Sequence, residues 1–296
     1  MIKTYLSRFI NKLNPIIYLL PAITMIIVYF GIPFIFLIVT SLTNWTAGRF
    51  DNVEFVGINN YIRIFSDKEY WQAFLNTFIW IGAAVFIHVP LCLLTAIILS
   101  QKPFFWKFFR TVYFFPNIIA LFTLAWMWLF LFRPDIGLIN EILRTIGLDS
   151  LSINWLGTSS TALGALIFTW MFSVGYFTII FMSQIGTIPN ELYEAATVDG
   201  ANEFKKALYI TIPLLRDAII IVVLLTVTFT FRTFETPFVM TRGGPGISSM
   251  ILPLMLYNRM VGNQGAIANT IGTTMVILGI IIVFSIRKLF ASKDGT

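Results

Sequence analysis

Long intervals without a formal charge limit this chain more than any other feature. Asp, Glu, Lys and Arg are absent from residues 13–48, 70–101, 111–132, 150–190 and 260–286. A helix needs about twenty consecutive apolar residues to cross a hydrocarbon core, so each interval has room for one crossing. A shorter charge-free run, 218–231, extends to 241 only by including Arg232 and Glu235. It reads as a further crossing with a charged pair near one end. The spacing therefore predicts an all-α integral membrane protein of six transmembrane helices, at about 16–41, 73–99, 111–132, 161–185, 217–240 and 264–287. Composition agrees: 57% of the residues are hydrophobic and 11% charged, where soluble domains carry about a quarter charged residues. No internal repeat or low-complexity stretch divides the 296 residues, which read as one transmembrane domain.

Six crossings place both termini on one side, and cationic residues favour the cytoplasmic side. With the N-terminus inside, the inner segments carry Lys3, Arg8, Lys12, Lys102, Lys107, Arg110, Lys205, Lys206, Arg216, Arg287, Lys288 and Lys293. Their acidic residues are Glu191, Glu194, Asp199, Glu203, Asp217 and Asp294. The whole net charge of +6 falls on that side, so N and C termini are expected in the cytoplasm. The basic balance reflects this bias, and nothing further supports a nucleic-acid partner. The first apolar run follows three basic residues as a secretory signal does. It is longer than a signal's apolar core, and Val39, Thr40, Ser41 and Leu42 make a poor cleavage site, so it is read as a retained helix that Pro15, Pro21 and Pro33 begin or bend.

The single cysteine, Cys92, lies four residues after the single histidine, His88. At that helical spacing the two could act as metal ligands or as nucleophile and base, but no further Cys or His completes a site. A packed thiol and a hydrogen-bonded imidazole between helices is the simpler reading.

Residues 186–216 form the most informative inner loop. Pro189 suits a helix start, Gly200 a helix end, and Asp199 the cap of a second short helix, which Pro213 would stop before the next crossing. Ala195, Ala196 and Ala201 allow the two helices to approach closely as a compact knob. A helix pair lying on lipid would carry a basic face, whereas the first helix carries Glu191 and Glu194 and no base, which favours a protein partner.

Glu194, Ala195 and Ala196, then Gly200, and later Ile210 and Pro213, resemble the signature loop of binding-protein-dependent ABC permeases. Ile212 stands where Leu is commoner in that family. The run Phe55 to Tyr61 with Asn76 and Thr77 is similar to an outer segment of the sugar-type permeases, and Thr241 to Pro245 resembles the glycine turn after their fifth crossing. The resemblance implies the type I importer permease fold in a bacterial cytoplasmic membrane and the carbohydrate branch, in particular the first of the two permeases of maltose-type systems. It also implies a second, homologous permease, two ATPase subunits and an extracytoplasmic solute-binding protein. The loop, Asp199 included, would sit in a cleft on an ATPase, with Glu194 and the turn at Gly200 transmitting closure of the ATPase pair. No cofactor is expected on this chain: it has no Gly-Lys dipeptide and so no phosphate-cradling loop, which leaves Mg-ATP to the partner subunits and makes the chain a transporter subunit rather than an enzyme.

A sugar crossing a membrane must exchange its hydration for protein hydroxyls, amides and aromatic faces. Thr226, Thr230 and Thr233 share one helical face by spacing, Ser173 and Tyr176 stand three apart, and Asn117 follows Pro116. In the family the solute is held at matching places, which makes these six the pathway candidates, although Ser and Thr also bond the preceding turn or join helices. Arg232 and Glu235, also three apart, are expected to neutralise each other, with a gate or polar anchor as the functional reading and a place at the outer interface as the simpler one. An intramembrane protease, a proton-coupled carrier, and the same kind of importer for an amino acid or phosphate ester remain as alternatives.

Overall fold

The computed structural model describes residues 18–49 and 51–291, with the side chains of 289–291 excepted. Lys3, Arg8, Lys12, Pro15, Lys293, Asp294 and the first two residues of the first expected crossing lie outside the described residues. Within them the chain is helical, with two isolated β-bridges, Thr43 with Phe55 and Thr46 with Arg49. The helices are α1 (Tyr18–Ser41), α2 (Asn59–Phe65), α3 (Lys68–Ser100), α4 (Trp106–Asn117), α5 (Leu121–Leu131), α6 (Leu138–Thr145) and α7 (Ala162–Met171). They continue as α8 (Gly175–Ile185), α9 (Asn190–Val198), α10 (203–214), α11 (Arg216–Thr230), α12 (Glu235–Met240), α13 (Leu252–Val261) and α14 (Gly265–Ala291).

Four stretches are long and apolar enough to cross a membrane: Tyr18–Ser41, Lys68–Ser100, Arg216–Met240 and Gly265–Lys288. The other two expected crossings, 111–132 and 161–185, fall on bent helix pairs. Helices α4 and α5 turn through 100° and α7 and α8 through 40°. The first bend follows a 3-10 turn at Phe115–Asn117 that contains Pro116, and Ala120 leaves helical geometry at φ −58° and ψ 134°. The second has no proline. Its cause is tertiary: a Cβ on Gly175 would sit 2.3 Å from the Tyr113 carbonyl oxygen and 2.6 Å from Phe114 Cα, so α8 starts where its backbone lies directly on α4.

Three other prolines leave their helices continuous by one device. Pro33, Pro90 and Pro213 each follow, by two residues, a π-helical turn at Ile27–Gly31, Ala84–His88 and Ala207–Thr211. Proline lacks an N–H and its ring crowds the carbonyl four residues earlier; a wider turn relieves that crowding. Pro213 accordingly lies inside its helix, which ends at Leu214 with Leu215 as its cap.

The chain forms two compact units, residues 1–66 with 258–274 and residues 67–257 with 275–296. In the first, the end of α1 leaves carbonyls without helical donors, and side chains supply them. Asn60 donates to the Ser41 and Thr43 carbonyls at 2.8 and 2.7 Å, Thr270 donates to Ser41 O at 3.2 Å, and the Tyr61 and Ser41 hydroxyls pair at 2.8 Å. Asn269 donates to the Thr40 hydroxyl at 2.6 Å. Gly265 has no room for a side chain, since a Cβ would meet the Trp45 ring at 2.5 Å.

In the second unit, Val89, Cys92 and Ala96 of α3 pack with Phe177 and Phe181 of α8 and with Ala218, Val222 and Val223 of α11. The small Cys92 and Ala96 let helices approach closely, the usual basis of helix association in lipid. Asn76 and Thr77 of α3 hold the segment after the glycine turn. Asn76 donates to the Ser248 and Met250 carbonyls at 2.9 and 2.8 Å, and the Thr77 hydroxyl accepts from Leu252 N–H at 3.0 Å.

Candidate functional site

The second unit carries two candidate features, an exposed helical knob and a cavity. In the knob, α9 ends in a Schellman turn: Gly200 has φ +76°, Ala201 N–H reaches Ala196 O at 2.8 Å and Gly200 N–H reaches Thr197 O at 3.0 Å. Glycine takes this left-handed position without the Cβ penalty. Asp199 does not cap the second helix. Gly200 and Ala201 are consumed in reversing the chain, and Asn202 becomes the cap, its side chain accepting from Lys205 N–H at 2.9 Å. The two helices are tied by the Tyr193 and Thr211 hydroxyls at 2.9 Å.

Glu194, Ala195, Asp199 and Gly200 are exposed, Ala196 and Ile210 are partly covered, and Pro213 is exposed. Around them stand Leu192, Val198, Phe204, Leu208 and Tyr209, all exposed, with Val198 at 89%. Large exposed apolar side chains thus stand beside the carboxylates of Glu194 and Asp199 on this connecting loop.

The cavity, about 420 Å³, is lined by His88, Pro116, Asn117, Leu121, Trp170, Ser173, Tyr176, Phe177, Phe229, Arg232, Thr233, Glu235 and Thr236. Four of its polar groups come from interruptions or ends of helices. Asn117 ends α4 before the 100° bend, Ser173 lies between α7 and α8, and Arg232 and Thr233 lie between α11 and α12. Irregular backbone at membrane depth is tolerated where it lines a cavity. The aromatic wall is continuous: Tyr176 and Phe177 both lie 5.9 Å from Phe229, and Trp170 stacks on His88 at 4.7 Å.

Four of the six pathway candidates, Asn117, Ser173, Tyr176 and Thr233, therefore meet in one space. Thr226 and Thr230 do not. Both are fully buried in the packing of α11, where the Thr230 hydroxyl donates to Thr226 O at 3.0 Å and the Thr226 hydroxyl has no partner among the described residues. A shared helical face placed all three threonines together, but the break at 231–234 takes Thr233 off that face.

Arg232 and Glu235 also line the cavity and do not neutralise each other. The break between them abolishes helical i, i+3 geometry. Glu235 accepts from Phe234 N–H at 3.4 Å, while the Arg232 guanidinium has no side-chain partner among the described residues. His88 is buried as expected, yet its Nδ1 has no hydrogen-bond partner among the described residues. Sequence reasoning missed Trp170, Phe177, Phe229 and Thr236. Pro116 and Pro237 were the local signs that these helices break.

No model of a protein family matches the chain. It is 34% identical to a probable ABC transporter permease protein, YurN of Bacillus subtilis, over 96% of this chain and 98% of that one. It is 28% identical to the trehalose/maltose transport system permease protein MalF of Thermococcus litoralis, over 92% and 90% of the two chains. Its fold matches a chain of a bacterial alginate ABC transporter solved in complex with an alginate pentasaccharide-bound periplasmic protein, with TM-score 0.85, 20% identity and 98% of both chains covered. A helical chain that is apolar enough to cross a membrane and matches a relative at this identity over nearly its whole length belongs to the ABC transporter permeases.

Proposed function

We propose that this permease translocates a sugar or oligosaccharide, received from an extracytoplasmic solute-binding protein, by alternating access driven by partner ATPases. The observation that carries the reading is the cavity at the helix breaks. It joins an aromatic wall of Trp170, Tyr176, Phe177 and Phe229 to amide and hydroxyl groups from Asn117, Ser173, Thr233 and Thr236. Pyranose rings offer apolar faces for such a wall and hydroxyls for such groups, and each hydroxyl stripped of water needs a partner. The carbohydrate systems named for the Thermococcus relative and the alginate transporter support the same cargo class.

The breaks support alternating access. A straight helix transmits displacement along its axis, whereas the bend between α4 and α5 and the interruption between α11 and α12 let half-helices rotate about the cavity. In this reading both termini and residues 186–216 face the cytoplasm, and the knob docks on one of two ATPase subunits through Val198, Phe204 and Tyr209, rimmed by Glu194 and Asp199. Mg-ATP is held by those subunits and the chain itself hydrolyses nothing. A second, homologous permease completes the pore.

Arg232 favours a second reading, in which the cargo carries an anionic group such as a uronate or phosphate ester. Reconstitution in liposomes tests both. Uptake of a labelled sugar driven by internal ATP is expected, and it should be lost when Glu194 and Gly200 are replaced. ATP hydrolysis or uptake by this chain alone would overturn the proposal. Competition by acidic over neutral sugars would select the second reading.

A further inference from the structure

A larger space of about 820 Å³ lies away from the helix breaks, between the end of α3, the start of α4, the end of α8 and the knob. Its charged lining is Lys102, Arg110, Glu203 and Lys206. Glu203 is already engaged on both oxygens, by Lys206 Nζ at 2.7 Å and Gln101 Nε2 at 3.2 Å. Lys102 and Arg110 have no side-chain partner among the described residues. No acidic residue occurs between Glu69 and Asp135, so nothing nearby in sequence relieves this positive charge.

Helix α4 gives the space its second character. Its 100° turn from α5 means that the two cannot both run along the membrane normal. On a helical projection, Trp106, Lys107, Arg110 and Thr111 share one side, and Phe108, Phe109 and Val112 the other. The Phe residues of that second side and the adjoining Phe104 are exposed, Phe104 at 85%. A basic face opposite a large aromatic one marks a helix lying in the lipid interface.

We propose that this space holds the headgroup of an anionic phospholipid, with Lys102 and Arg110 binding its phosphate and the aromatic side of α4 seated among acyl chains. A bound headgroup would also meet Asn190 and Tyr193 of α9 and Thr211 of α10, which line the same space. Lipid charge would thereby bear on the hydroxyl pair that ties the knob together. The inference rests on membrane embedding and not on the cargo assigned above.

The test uses the assembled complex in nanodiscs, which present the same lipid on both faces, so either orientation of the chain gives a valid result. Phosphatidylglycerol with brominated tails, in a phosphatidylcholine background, is compared with discs in which the phosphatidylcholine carries the bromine. The signal read is the part of tryptophan fluorescence removed by Trp106→Phe. Stronger quenching by the anionic lipid is expected. Each of Lys102→Gln and Arg110→Gln should reduce that preference about fivefold, and the double variant roughly 30-fold, from about 1 kcal/mol per cation. Lys205→Gln, on an exposed residue outside the space, should change nothing. Equal quenching by the two lipids, or a preference that survives the double variant, overturns the proposal. So does the absence of quenching by either lipid together with cross-linking of Arg110→Cys to the second permease, which would show a protein surface covering the site.

Discussion

Asn76 donates one side-chain amide to two carbonyls, those of Ser248 at 2.9 Å and Met250 at 2.8 Å, more than 170 residues later in the chain. Asn76 is itself buried, and it accepts from Gln72 Nε2 at 3.0 Å. The contact joins two of the segments that resemble sugar permeases and gives each a physical role. Replacing Asn76 by Leu leaves buried carbonyls without donors, at about 1–3 kcal/mol each. A lower melting temperature of the purified complex is expected, with a smaller drop for Thr77→Val, which removes the acceptor for Leu252 N–H and a donor to the Ala73 carbonyl, already within its own helix.

Gly200 stands at φ +76° with nothing within 4 Å of an added Cβ. Any penalty at this position is conformational and not steric, about 1–2 kcal/mol for a residue other than glycine. Gly200→Val should weaken ATPase stimulation by the solute while subunit assembly, followed by copurification, persists. Gly200→Asn should be the milder change, because asparagine visits this region more readily.

Gly175 presents the opposite case. Its added Cβ would strike α4 backbone atoms at 2.3 and 2.6 Å, whereas Gly164, in α7, has open space around it. Gly175→Ala must separate α8 from α4, an overpacking cost of about 1–3 kcal/mol. Gly164→Ala should leave thermal stability unchanged or slightly raised. Similar melting temperatures for the two variants would show that the close approach is not required.

The threonines of α11 divide by position. Thr226→Val removes a buried hydroxyl that has no partner among the described residues and should be neutral or stabilising, with unchanged uptake. Tyr176→Ala removes part of the cavity's aromatic wall. Loss of an aromatic contact worth about 1 kcal/mol should raise the half-saturation for uptake roughly fivefold. A transport defect in Thr226→Val with a normal Tyr176→Ala would reverse this division.

The knob was legible in the sequence because its determinants are local. Pro189 and Gly200 act on their own backbone; the cap was misplaced, from Asn202 to Asp199, and Pro213 was read as a stop although the helix runs through it to Leu214. The cavity was legible in part. Asn117, Ser173, Tyr176 and Thr233 were drawn by residue type, but helical periodicity treated 217–240 as unbroken. It therefore grouped Thr226 and Thr230 with Thr233 and paired Arg232 with Glu235.

By itself the sequence determined that the chain is helical and membrane-embedded, because the length of an apolar run is measured against the thickness of the bilayer without reference to any other segment. It also determined the turn at Gly200, where one residue's missing Cβ decides the backbone. Tertiary structure decided where helices break and what those breaks enclose. The bend after Met171 depends on Gly175 meeting Tyr113, and the cavity depends on three interruptions, widely separated along the chain, arriving at one place. Such contacts depend on distances through space, which periodicity along a single helix does not encode.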